Sequence, residues 1–212
     1  MSSPSSGGQV STRAGSGWGA PAPAPPAAPR VSGAVILTQI GSLIELYGRD
    51  TYDRALAGLA DGPRREVKEL LAIGWIPACT AQGLKDAVAA LVGLTSEEVQ
   101  VQVVRASLGQ VINVFWRLLL RHVSDEALMK RTPLLYSRTF DRGELVARVI
   151  GPGHASFELL GWPDVSDYDV LGLATGITFV LERAGRKGAA GRWSRAGGRV
   201  IIEASWPHDA RV

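Results

Sequence analysis

The sequence predicts an α+β fold, a helical layer packed on a small antiparallel sheet, with a disordered N-terminal tail. Three observations predict it: apolar residues recur at three-four spacing through the first two thirds of the chain, they alternate in the last third, and residues 1 to 30 hold almost no large apolar group. On this reading residues 31 to 206 form a single α+β binding domain and residues 207 to 212 a short C-terminal tail.

The tail is built from Ser, Gly, Ala and Pro and ends in Ala20-Pro21-Ala22-Pro23-Ala24-Pro25-Pro26. Such a segment cannot offset its ordering entropy, and its Pro-Ala part favours extended polyproline II. From Val31 to Ile40 the run of Val, Ile and Leu reads as a short strand leading into a helix that Gly48 stops. Tyr52, Ala55, Leu56 and Leu59 make a helical stripe, and Asp61-Gly62-Pro63 supplies an N-cap and a first-turn proline for a helix to about Ala72. Trp75-Ile76-Pro77 interrupts. Thr80 is then expected to cap a helix carrying Leu84, Val88 and Leu91, with Gly93 as its stop, and Cys79 at its head reads as a small buried hydrophobe.

Thr95-Ser96-Glu97-Glu98 is a capping box. The helix it opens is expected to run to about His122 as the central core helix, with the stripe Val101, Val104, Leu108, Val111, Phe115 and Leu118. Ser124 caps a further helix to about Arg138. The period then changes to two: Leu145, Ala147 and Val149 alternate into the turn Gly151-Pro152-Gly153, and Ala155, Phe157 and Leu159 alternate out of it, which is a hairpin. Ser166 and Asp169 cap a helix whose stripe is Val170, Leu173, Ala174, Ile177, Val180 and Leu181, ending at Gly185. Gly172 and Gly176 bare one face of it for a close neighbour, a strand or a second subunit. Gly197-Gly198 turns into a closing strand with Val200, Ile202, Ala204 and Trp206 on one side.

Composition excludes several function classes. The 212 residues are 46% hydrophobic and 20% charged, with 23 basic against 20 acidic residues in a mixed pattern, so no sustained positive field points to nucleic acid. One cysteine, Cys79, cannot close an intrachain disulfide, and with His122, His154 and His208 far apart no metal site is expected. No run of about 18 apolar residues or signal-peptide pattern occurs, so a cytoplasmic protein without membrane insertion is expected. Phosphate loops, nucleophile elbows and zinc-protease motifs are absent, and no catalytic residue is assigned.

Two constellations are candidates for binding. Asn113 and Arg117 share a polar strip with Gln110 and Arg121 on an otherwise apolar helix, and with Phe115 and Trp116 as an aromatic wall they suit the acidic end of a ligand. The same strip also fits a solvated helix edge. Arg183, Arg186, Lys187, Arg192 and Arg195, with Trp193 among them, form an acid-free basic cluster suited to a protein partner, or to a solvated loop with blunted edge strands.

The order of elements, with Trp75-Ile76-Pro77, Arg131-Thr132-Pro133-Leu134-Leu135, Phe140-Asp141-Arg142-Gly143, Gly151-Pro152-Gly153 and the stretch from Gly172 to Gly185, resembles a myxobacterial paralogous family of unknown function. The resemblance covers about Val31 to Trp206. That family is similar to the superfamily of vinyl-reductase domains, haem/nitric-oxide-binding domains and small subunits of tethering complexes. The resemblance implies an α+β shell around an apolar interior that takes haem, acyl groups or proteins. Two departures bear on cofactors: Tyr136-Ser137-Arg138 lacks the Tyr-x-Ser-x-Arg spacing of haem-binding members, with no suitable His before it, and no cysteine lies between Gly185 and Trp206. No cofactor is therefore expected.

Together these readings predict a non-enzymatic cytoplasmic binding or signalling module that holds a small apolar ligand or a protein partner, as a homodimer. A structural adaptor acting through the tail and basic hairpin, and a cofactor-dependent reductase-like enzyme, are the alternatives.

Overall fold

The computed structural model describes residues 28–112, 120 and 122–207. The expected tails at 1–27 and 208–212 lie outside them. In chain order the elements are β1 (Arg30–Ser32), α1 (Gly33–Tyr47), α2 (Arg49–Gly58), α3 (Asp61–Lys68), β2 (Trp75–Pro77), α4 (Ala78–Val92), α5 (Ser96–Val111), α6 (Asp125–Ser137), β3 (Glu144–Gly151), β4 (His154–Leu160), α7 (Asp167–Arg183), β5 (Ala190–Ala196) and β6 (Arg199–Ser205).

The α+β class holds, and the C-terminal half forms a four-stranded antiparallel sheet in the order β3-β4-β6-β5. Alternation places Leu145, Phe157, Leu159, Val200 and Ile202 on one face, with Phe157 opposite both Ala147 and Ile202. That face packs with α6 and α7 into one core. A second core joins α1, α2, α4 and α5, and Phe140 packs against both. The layer order differs from expectation in one respect. α5 packs chiefly on α7, so α7 separates it from the sheet.

Capping chemistry accounts for most boundaries. Gly48 at φ 87° and Gly93 at φ 71° end α1 and α4, and both halves of the Thr95/Glu98 capping box are formed. Ser124 and Ser166 accept from the backbone N–H groups of Ala127 and Asp169.

Five local expectations are corrected. The strand expected toward Ile40 stops at Ser32, because Gly33 donates to the Gly74 carbonyl at 2.8 Å and the helix begins there, burying Ile36 and Leu43 on one face. Asp61 lies inside α3, whose cap is Ala60, and Asp61 pairs with Arg64 one turn on. Thr80 lies inside α4, donating to Glu66 at 2.6 Å, and Cys79 is exposed. Finally, α5 ends at Val111, where Ile112 leaves the helical region at ψ 81°. Its buried face is Val99, Gln100, Val103, Val104 and Ser107, whereas Val111 is 60% exposed.

The bare face at Gly172 and Gly176 is filled by α5 of the same chain. A Cβ at Gly172 would collide with the Gln100 side chain, and one at Gly176 would sit 3.7 Å from Leu108. Among the described residues, no single helix is long and apolar enough to cross a membrane.

Candidate functional site

Asn113, Phe115, Trp116 and Arg117 lie outside the described residues, as does Arg121. The basic cluster is described, and it is divided. Lys187 and Arg192 are exposed, Arg183 stacks 4.7 Å from the Phe179 ring, and Arg195 binds Asp167 at 2.6 Å and the Val165 carbonyl at 2.7 Å. Trp193 packs partly buried against the C-terminal core. Arg186 does not belong to an exposed face at all. It is 2% exposed, with Nε and Nη2 donating to Asp125 Oδ1 at 2.9 and 2.6 Å and Nη2 donating to the Val123 carbonyl at 2.7 Å. Glycine-rich flanks let the chain turn inward after α7, which is why a hydrophilic run in sequence becomes an internal clamp between the start of α6 and the end of α7.

A cavity of about 440 Å³ lies between α1, α4, α5, α6, α7 and the β3-β4 face, within the size range of small-molecule sites. Apolar groups form most of its wall: Val35 and Ile36 from α1, Ala81 from α4, Val104 and Leu108 from α5, Leu128 and Met129 from α6, Leu145 and Phe157 from the sheet, and Ile177 and Leu181 from α7. The two bared glycines, Gly172 and Gly176, also border it.

Polar groups line it too, and several gather around one lysine. Lys85 is 5% exposed, and its Nζ donates to Gln39 Oε1 at 2.9 Å and to Gln100 Oε1 at 2.7 Å while standing 5.5 Å from the Tyr168 ring centre. Four helices supply this cluster: α1 gives Gln39, α4 Lys85, α5 Gln100, and α7 Tyr168 and Asp169. Burial brings the Lys85 ammonium down to about 8, with the nearby Asp169 and Asp86 carboxylates opposing the shift. Burial pushes the Asp169 carboxyl up, against its hydrogen bond from the Ser166 hydroxyl at 2.6 Å and the Lys85 charge.

Two phenols border the same space. Tyr136 donates to the Arg142 carbonyl at 2.7 Å, and burial pushes its hydroxyl up. Tyr168 is pushed up as well, by burial and by Asp86, and its hydroxyl is buried with no hydrogen-bond partner among the described residues. The arrangement thus offers an apolar volume with hydrogen-bond donors, one buried cation, Lys85, and one exposed cation, Arg138, in its wall.

The sequence reading passed over Lys85 and Gln100. A signal was present: Lys85 is flanked at four-residue spacing by Ala81 and Ala89, and Gln100 lies between Val99 and Val103, so each polar residue sits on an apolar helix face. Among the described residues the cavity wall contains neither His nor Cys, and no group of three or more His, Cys, Asp or Glu is placed to hold a metal ion.

No family model matches the chain, and no curated protein matches its sequence. Solved structures do match its fold. A variant of the T. Tengcongensis H-NOX domain superposes with a TM-score of 0.59 at 15% identity, covering 82% of this chain and 97% of that one. An oxygen-binding H-NOX domain related to soluble guanylate cyclases gives 0.53 at 18% identity, covering 82% and 94%. An H-NOX structure concerned with haem distortion in that family gives 0.59 at 16% identity, again covering 82% and 94%. The likeness extends the expected resemblance to haem/nitric-oxide-binding domains at the level of the fold.

Proposed function

We propose that this chain is a non-enzymatic cytoplasmic binding or signalling module whose ligand is a small, largely apolar molecule held between the two cores. One observation carries the reading: a cavity of about 440 Å³ sits where the helical core meets the sheet core, with a buried lysine in its wall. Two cores that share Phe140 and border one half-open cavity can shift their relative packing in response to what fills it. The H-NOX fold likeness supports a sensory role without naming the ligand.

Haem is the ligand that the fold neighbours bring to mind, and the described wall supplies few axial donors for it. A haem iron needs an axial imidazole, thiolate, thioether or phenolate, and the wall offers no His or Cys. The donor types that remain are the Met129 thioether and two phenols, of which Tyr136 already donates to the Arg142 carbonyl.

The test uses the intact chain and Nile red, a neutral apolar fluorophore. One dye per subunit is expected, with loss of binding in a Gly176→Leu variant that keeps its circular dichroism spectrum, since Gly176 borders the cavity. Native mass spectrometry of protein from its own host should show added small-molecule mass on each subunit and report whether the chain is a homodimer. Absence of dye binding together with bare subunits would sink the reading in favour of an adaptor, for which the exposed Lys187 and Arg192 remain the partner-facing candidates.

A further inference from the structure

We infer that Lys85 anchors the acidic head of a fatty acid whose hydrocarbon chain occupies the apolar remainder of the cavity. The inference rests on the cavity reading above and names the ligand class. A lysine ammonium carries three donors. Here two are taken by the neutral amide oxygens of Gln39 and Gln100, and the third has no acceptor among the described residues. Among the described residues no carboxylate lies within 4.0 Å of Nζ, although the group is 5% exposed. A buried charge whose contact partners are neutral oxygens, with Asp169 and Asp86 acting on it only from farther off, gains a contact counter-ion from an incoming carboxylate.

The surroundings select the rest of the ligand. Tyr168 contributes a second buried donor without a partner, which suits an acceptor-bearing head and not a cationic one. Two acids are near Lys85 and constrain the approach: Asp86 is absent from the cavity wall, and Asp169 accepts from Ser166 at 2.6 Å with its carboxyl pushed up by burial. Beyond this cluster the wall passes to Val104, Leu108, Ile177 and Val180, a surface for methylene groups. A carboxylate joined to an alkyl chain is the simplest molecule that satisfies both ends.

The experiment compares dodecanoate with methyl dodecanoate, which keeps the chain and removes the charge, on the full chain by native mass spectrometry and thermal shift. Dodecanoate is expected to bind at least about ten-fold more tightly, the effect of one charge-assisted hydrogen bond. Lys85→Met should reduce the acid to the level of the ester and leave the ester unchanged, whereas Lys85→Arg should retain part of the preference. Equal binding of acid and ester to the unaltered protein overturns the head-group assignment and leaves the cavity reading standing. Failure of both to bind overturns the assignment and the cavity reading together. The acid–ester comparison decides even where Lys85→Met does not fold.

Discussion

Arg186 and Lys85 are both buried cations, and their partners give them opposite consequences. Arg186 has a carboxylate: Nη2 lies 2.6 Å from Asp125 Oδ1, and backbone carbonyls take further guanidinium donors. Removing the guanidinium takes the Arg186 half of a buried ion pair away from Asp125, so Arg186→Met is expected to cost about 3–5 kcal/mol in urea unfolding. Pairing it with Asp125→Leu should recover part of that loss, and additive single and double losses would refute the coupling. Tyr168 gives a complementary prediction. Its buried hydroxyl has no partner among the described residues, so Tyr168→Phe should leave the melting temperature of the ligand-free protein unchanged or slightly raised. A marked fall would mean that the hydroxyl is satisfied in solution.

Close approaches between elements turn on glycines. Gly33 starts α1 directly against the loop before β2, where a Cβ would collide with the Leu71 carbonyl, a backbone atom that cannot rotate away. Gly33→Ala is therefore expected to destabilise by about 2 kcal/mol or more, read as a lower urea midpoint. At Gly172 the obstacle is the Gln100 side chain, which also accepts from Lys85. Gly172→Ala should displace that amide, lowering stability by about 1–3 kcal/mol and weakening dodecanoate binding in parallel. The hairpin and the caps of α5, α6 and α7 are legible in the sequence because their signals are local: alternation across Gly151-Pro152-Gly153, the Thr95/Glu98 box, and serines before α6 and α7. The start of α1 is not, since the β-branched run from Val31 fits either state and the contact at Gly74 decides between them.

Over the whole molecule, buried ionisable groups set the pH response. Unfolded Lys85 keeps its proton to about 10.5, whereas the folded group releases it near 8. Between these values the unfolded state binds more protons, so stability rises with pH. Tyr136 and Tyr168 act in the opposite sense, because unfolded phenols ionise near 10.0 while the buried ones resist, and stability falls beyond that point. The melting temperature is thus expected to climb from about pH 7 to about pH 9.5 and then decline. Lys85→Met should flatten the climb and leave the decline, and a climb that survives in the variant would assign it to another group.

By itself the sequence determined the α+β class, the sheet face, most caps and the apolar character of the interior, all of which follow from periodicity and neighbours a few residues apart. Tertiary structure decided the rest. It carried Arg186 out of a basic run and into a buried pair, laid α5 on the glycine face of α7, and brought Gln39, Lys85, Gln100 and Tyr168 from four helices to one cavity wall. Residues so far apart in the chain meet only after the helices pack, and no spacing rule of a single element encodes that meeting.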